Sequence, residues 1–288
     1  MEQYKIGIEI ELLINYISFK SNKLLDIVDL INKVLKEDNK DIEFKYLYPT
    51  IKNDYSKWVI VEDNTIISKN DNEIGFEIVS PILSLHKVLE IHKVLSSIKK
   101  LPIIINNTCG FHVHVSKSYK LELNNIKNII KNYIIFENVI DLFHDKSRIN
   151  NFYCKSISEN NNFKYLKSIS RKINRINHIK SLNDLINLIN EDSKLFKVNL
   201  NSLITKGTIE FRQHISTINI DDIFNWIFFI TLFVDMSYKY FDSNLITLSK
   251  LNYFNQFNYL FDNLIYNNDL KIFYYKKLKN NIGMIYNN

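Results

Sequence analysis

The chain has 288 residues, 46% of them hydrophobic and 24% charged, an ordinary globular composition with enough apolar residues for a sizeable core. Its net charge of +6 is spread as single lysines among Asn and Ile, so no basic tract marks a nucleic-acid surface. The apolar run at residues 226–234 is far short of the roughly 20 residues a membrane span needs, and Asp222 and Asp235 bracket it.

Residues 3–14 alternate, with Tyr4, Ile6, Ile8, Ile10 and Leu12 on one face and Lys5, Gly7, Glu9 and Glu11 on the other, the period of a strand. The opening MEQYKIGIEIELL has no basic region, apolar stretch or small-residue cleavage site, so a cytoplasmic protein is expected. Residues 24–35 have helical spacing, while 58–67 and 75–79 predict a strand pair joined by the polar turn Lys69-Asn70-Asp71-Asn72. A helix is expected from Ser84 to about Lys100, a strand over 109–116 and a long helix over 119–145. The polar stretch 150–162 reads as a loop, followed by two helices ending near Asp192, strands at 197–203 and 207–215, and helix from Asp221 nearly to the end. No repeat or Gly/Ser/Pro linker divides the chain. The expectation is one α+β domain over 1–288, an antiparallel sheet with helices on one side and a helical C-terminal region at 218–288. Cys109 and Cys154 allow at most one disulfide, which a chain of this size does not need, and reduced thiols are expected.

Four of the five glycines, Gly7, Gly75, Gly110 and Gly207, sit at strand motifs, and they predict one crowded site rather than four unrelated turns. Glu9 and Glu11 project from one strand face, an arrangement that suits a hard divalent cation, although most such alternations are the solvated side of a strand. In CGFHVHV, Phe111, Val113 and Val115 turn one way, while His112 and His114 share the other face and could take a metal, a phosphate or hydrogen-bonding neighbours. In GTIEFRQH, Glu210 and Arg212 share a face and could pair with each other. Arg212 is nonetheless one of four arginines beside 33 lysines, and Lys cannot imitate its planar recognition of phosphate. Glu77 in GFEIVSP, and less directly Asp63, add carboxylates. So rich an acid and imidazole set calls for a cation, Mg²⁺ by its carboxylates and Mn²⁺ by its imidazoles.

These motifs resemble the amidoligase family, a branch of the carboxylate-amine ligases related to glutamine synthetase and glutamate-cysteine ligase. The resemblance runs from GIEIE (7–11) through EIVSP (77–81), CGFHVHV (109–115) and RINNFYC (148–154) to VNLNSL and GTIEFRQH (198–214), about two thirds of the chain. It implies a curved, mainly antiparallel sheet of the glutamine synthetase type cupping ATP and two or more metal ions. By the same resemblance Glu9, Glu11, Glu77, His112 and Glu210 match metal ligands, and His112, His114, Arg148, Lys194 and Arg212 match nucleotide contacts. Arg212, Glu77 and His114 match the catalytic set. Lys194 and Leu195 stand where an Arg-Tyr pair is usual, and Ser216-Thr217 where Gly-Thr is common.

The implied reaction is attack of a carboxylate on the γ-phosphate of ATP, giving an acyl phosphate that an amine converts to an amide. No P-loop, GxSxG or CxxC motif points to another route. The alternatives are an ATP-independent two-metal hydrolase and a non-catalytic binding protein retaining the fold. Expected partners are small-molecule or peptide carboxylates and amines, with no nucleic acid or membrane; the sequence is silent on oligomeric state.

Overall fold

Strand β1 (Tyr4–Asn15) organises the first part of the chain in the computed structural model, which describes residues 4–15, 23–48, 56–118, 121–149, 151–239, 241–242, 244–248 and 250–286. It is bordered by β4 (Glu73–Val79), with Glu9 opposite Val79 and Asn15 opposite Glu73, by β5 (Leu83–Ser84) at Lys5 and Ile6, and by β6 (Ile103–Ile104) at Leu13 and Ile14, all antiparallel. The sheet runs β2 (Phe44–Tyr46), β3 (Trp58–Val61), β4, β1, β7 (Gly110–Lys117). β2 joins β3 in parallel, and β3 joins β4 antiparallel. The result is a mixed α+β protein with a mostly antiparallel sheet. Its contacts divide it into two compact units, Met1–His114 with Ile215–Ile223, and Val115–His214 with Phe224–Asn288.

In the first unit, helix α1 (Lys23–Glu37) buries Ile27, Val28, Ile31 and Leu35, one stripe of its 3.6-residue period, and α2 (Leu89–Ile98) buries Ile91, Val94, Leu95 and Ile98. Asp38, just past α1, accepts from Ser97 Oγ at 2.5 Å and from Lys100 Nζ, tying the two helices together. Asn32 on α1 brackets Phe44 of β2, its Nδ2 donating to the carbonyl at 2.9 Å and its Oδ1 accepting from the N–H at 2.8 Å.

Three expectations are corrected here. The strand at 58–67 stops at Val61, because Asp63 Oδ1 takes Thr65 N at 2.7 Å and Thr65 Oγ1 at 2.6 Å and turns the chain. Ser84 ends β5 instead of starting a helix; a 3₁₀ turn, Leu85–Lys87, precedes α2. The glycines do not all mark one crowded site: an added Cβ at Gly7 would lie 3.5 Å from His114 Cβ and Gly110 N–H donates to Glu11, whereas the other two have separate roles. Space beside Gly75 is taken by Ile66, whose Cγ2 would lie 2.8 Å from an added Cβ, and Gly207 serves a turn at φ +70° with nothing within 4 Å.

The second unit carries α3 (Leu123–Asp141), α4 (Ile169–His178), α5 (Leu182–Asn190), β8 (Val198–Asn199), α6 (Ser202–Thr205), β9 (Ile209–Ile215, to His214 here) and most of α7 (Ile220–Lys239). Residues 119 and 120, where the long helix was expected to begin, and residue 150, the start of the expected loop, lie outside the described residues. Ser168 and Ser181 cap α4 and α5 by accepting from Arg171 N and Asp184 N. The strand expected over 197–203 is cut to two residues, because the buried side chain of Asn190 captures Leu200 N at 2.8 Å and the Val198 carbonyl at 2.9 Å before the chain turns into α6. Beyond α7 the described residues form further helices, ending in the long helix Asn268–Tyr286. Aromatic rings fill this region: Trp226 stacks on Phe229 at 5.6 Å and Phe143 on Tyr274 at 4.5 Å.

Candidate active site

Strand alternation sets the first constellation. Glu9 and Glu11 leave one face of β1, and the antiparallel register puts Glu77 of β4 directly opposite Glu11. All three are buried, at 8%, 3% and 9% exposure, so the solvated-face reading of the first strand does not hold. From β7, His112 enters this group with Nδ1 3.3 Å from Glu9 Oε2 and 3.9 Å from Glu77 Oε1, and Nε2 3.4 Å from Glu11 Oε1. His114 Nε2 lies 3.1 Å from Glu9 Oε1, and the backbone N–H of Gly110 donates to Glu11 Oε2 at 2.5 Å.

One imidazole among three buried carboxylates leaves excess negative charge, and ionised groups so placed cost several kcal/mol each unless compensated. Ligand atoms of Glu9, Glu77 and His112 all lie within 4.8 Å of one another, as do those of Glu11, Asp63 and Glu77. The donor set, mainly carboxylate oxygen with one imidazole, fits a divalent cation such as Mg²⁺ or Mn²⁺. Asp63 has one oxygen engaged with Thr65, leaving the other for such an ion.

The second constellation lies on β9 and β8. Arg212 Nη1 donates to Glu210 Oε1, while Glu210 Oε2 accepts from Asn199 Nδ2 at 2.7 Å and Ser202 Oγ at 2.9 Å. Asn199 stands opposite Glu210 in the β8–β9 register. Glu210 and Arg212 therefore do pair, but in the interior and not across a surface. Arg148 is buried nearby and donates from Nη2 to the Arg212 carbonyl at 2.8 Å. Lys194, by contrast, is exposed.

The profile of the family described as "Putative amidoligase enzyme" matches residues 2–234. The chain belongs to this family. No curated protein matches it. The amidoligase match takes in both constellations, all of β1, β4, β7 and β9, and stops inside α7.

Sequence reasoning missed a buried network in the second unit. Lys197, 1% exposed, holds Asp141 at 2.7 Å and Glu137 at 3.4 Å; Gln213 donates to Asp141, and Tyr133 OH donates to Gln213 Oε1 at 2.5 Å. Burial pushes the Asp141 carboxyl up to about 6 against the pull of Lys197, whereas Glu137 and Asp141 raise the Lys197 amine despite its burial. A signal was available: Tyr133, Glu137 and Asp141 recur every fourth residue on one face of an otherwise apolar helix. Burial likewise raises the Cys154 thiol and holds the His144 ring well below its usual value, the latter helped by His214.

Among the described residues no helix is long and apolar enough to cross a membrane.

Proposed function

We propose that this amidoligase-family chain is an ATP- and divalent-metal-dependent ligase that forms an amide bond between a carboxylate and an amine, on a sheet of the glutamine synthetase type. The observation that carries the reading is the burial of Glu9, Glu11 and Glu77 around His112, an excess of negative charge that a cation would offset. These four residues would hold the ion. A bound cation supplies charge neutralisation for a triphosphate and polarisation of its phosphoryl oxygens.

The chain's own residues do the rest. Arg212, fixed by Glu210 through its side chain and by Arg148 through its carbonyl, offers a planar guanidinium to the transferring phosphoryl group. His114, held against Glu9, takes the nucleotide-contacting role that the family resemblance gives it. The substrate carboxylate attacks the γ-phosphorus, ADP leaves, and the amine displaces phosphate from the acyl phosphate. Both Cys109 and Cys154 are buried free thiols, and burial disfavours the Cys154 thiolate, which agrees with a route without thioester.

The test is ADP release with Mg²⁺ or Mn²⁺ across paired panels of amino acids, peptides and polyamines. ADP formed only when both an acid and an amine are present is the expected result. Substrate cleavage without nucleotide would move the assignment to a metal-dependent hydrolase.

A further inference from the structure

Glu137 and Asp141 lie one turn apart at the end of α3, and Lys197 precedes β8; all three belong to the second unit and are buried, at 2%, 6% and 1% exposure. Lys197 Nζ stands 2.7 Å from Asp141 Oδ1, 2.8 Å from Asp141 Oδ2 and 3.4 Å from Glu137 Oε1. A nitrogen that close to both oxygens of a carboxyl lies no farther from the carbon between them than the roughly 3–3.5 Å of a near-attack pair. Both partners are held in place. Lys197 N donates to the Lys155 carbonyl at 2.9 Å and its carbonyl accepts from Arg212 N at 2.8 Å, while Gln213 Nε2, its own amide oxygen held by Tyr133 OH, donates to Asp141 Oδ1.

One ammonium beside two buried carboxylates leaves a net negative charge in the interior, and ions kept from water are costly. Burial pushes the Asp141 carboxyl up to about 6, which brings its acid form within reach near neutral pH. The two carboxylates keep the Lys197 amine protonated against its burial, so any reaction waits on a proton leaving Nζ, and Glu137 Oε1 is placed to take it. Reactants locked in such a geometry reach effective molarities of about 10⁵–10⁸ M, and burial keeps bulk water from reversing the step.

We infer that Lys197 and Asp141 join in an intramolecular amide, formed by the chain on itself between Nζ and the side-chain carboxyl carbon with Glu137 as the proton carrier. Nζ attacks Cγ while Gln213 steadies the charge that develops on Oδ1. Two protons leave Nζ by way of Glu137 and end on Oδ2, the N–C bond forms, the Cγ–Oδ2 bond breaks and the oxygen departs as water. Ammonium plus carboxylate gives amide plus water, so no oxidant, nucleotide or metal enters the step. A neutral amide then replaces a buried ion pair and closes residues 141–197 into a ring. The modification stands apart from the ligase reading and uses none of the side chains given to that reaction.

The full native chain, held folded at neutral pH, is weighed intact by mass spectrometry and then digested with trypsin under denaturing conditions. A mass short by one water is expected, with a branched peptide joining Asp141 to Lys197 and no cleavage after Lys197. The branched peptide should survive hydroxylamine, which opens the succinimide that an aspartate forms with the same loss of mass. A full mass, or a deficit traced to any other residue, overturns the inference, and that reading needs no variant to fold. Folded Glu137→Gln should form the link at least tenfold more slowly; linking at the native rate overturns the role of Glu137. A negative ADP-release assay leaves these outcomes unchanged, so the two readings fail separately.

Discussion

Glu11 and Glu77 stand directly opposite each other on antiparallel strands, both buried and both carboxylates. Like charges in that position repel unless a group of opposite sign is shared between them. His112 meets Glu11 at 3.4 Å and Glu77 at 3.9 Å but carries at most one positive charge.

Glu77→Gln should therefore stabilise the metal-free protein, by about 1–3 kcal/mol, while lowering its response to a cation. Thermal melts in EDTA and in Mn²⁺ test both halves. The native chain should gain more from Mn²⁺ than the variant. Equal gains would show that Glu77 holds no ion.

Arg212→Lys keeps the charge but loses the planar fork. A fall in turnover of roughly 10²- to 10⁴-fold is expected, with a much smaller change in ATP affinity. Near-native turnover from a folded variant would reduce Arg212 to the ion-pair partner of Glu210.

Gly75→Ala would press a methyl to 2.8 Å from Ile66 Cγ2. Urea unfolding should record a loss of about 1–3 kcal/mol, most of it recovered in an Ile66→Gly background, since Ile66 Cβ would also lie 2.9 Å from the methyl. Strictly additive losses in that double-mutant cycle would mean the backbone moves apart instead.

His144 is buried against Trp226, with ring centroids 4.5 Å apart, and burial depresses its basicity. The folded ring stays neutral while the unfolded one takes up a proton below about pH 6.5, so the unfolded state binds more protons and stability falls as pH falls. The loss approaches about 1.4 kcal/mol per pH unit below that point. His144→Phe should flatten the stability profile between pH 6.5 and 5. An unchanged slope would show that His144 protonates in the native state.

The first constellation was legible because strand periodicity forces it: once 3–14 alternates, Glu9 and Glu11 must share a face, and HVH must place two imidazoles on one side of β7. Register was not legible, since which residue of β4 opposes Glu11 depends on pairing that no local pattern encodes. The short β8 escaped for a similar reason. VNLNSL begins with strand-like alternation, but the side-chain amide of Asn190, eight residues before Val198, claims its backbone. Lys197 looked like one more lysine in a lysine-rich chain; its burial follows from Glu137 and Asp141, which helical spacing sets four residues apart.

Asn32, Asn160 and Asn190 each use the side-chain amide as a substitute peptide group, donating to carbonyls and accepting from an N–H. Aspartate has nearly the same shape but no amide donor. Hydrolysis of any one of these amides would set a carboxylate against the carbonyls of Phe44, Leu188 or Val198, turning attraction into repulsion without altering side-chain volume. Chemical ageing of this protein therefore has defined weak points: deamidation at exposed asparagines adds charge to the surface, whereas at these three it releases β2, the end of α5 and β8 from their tethers.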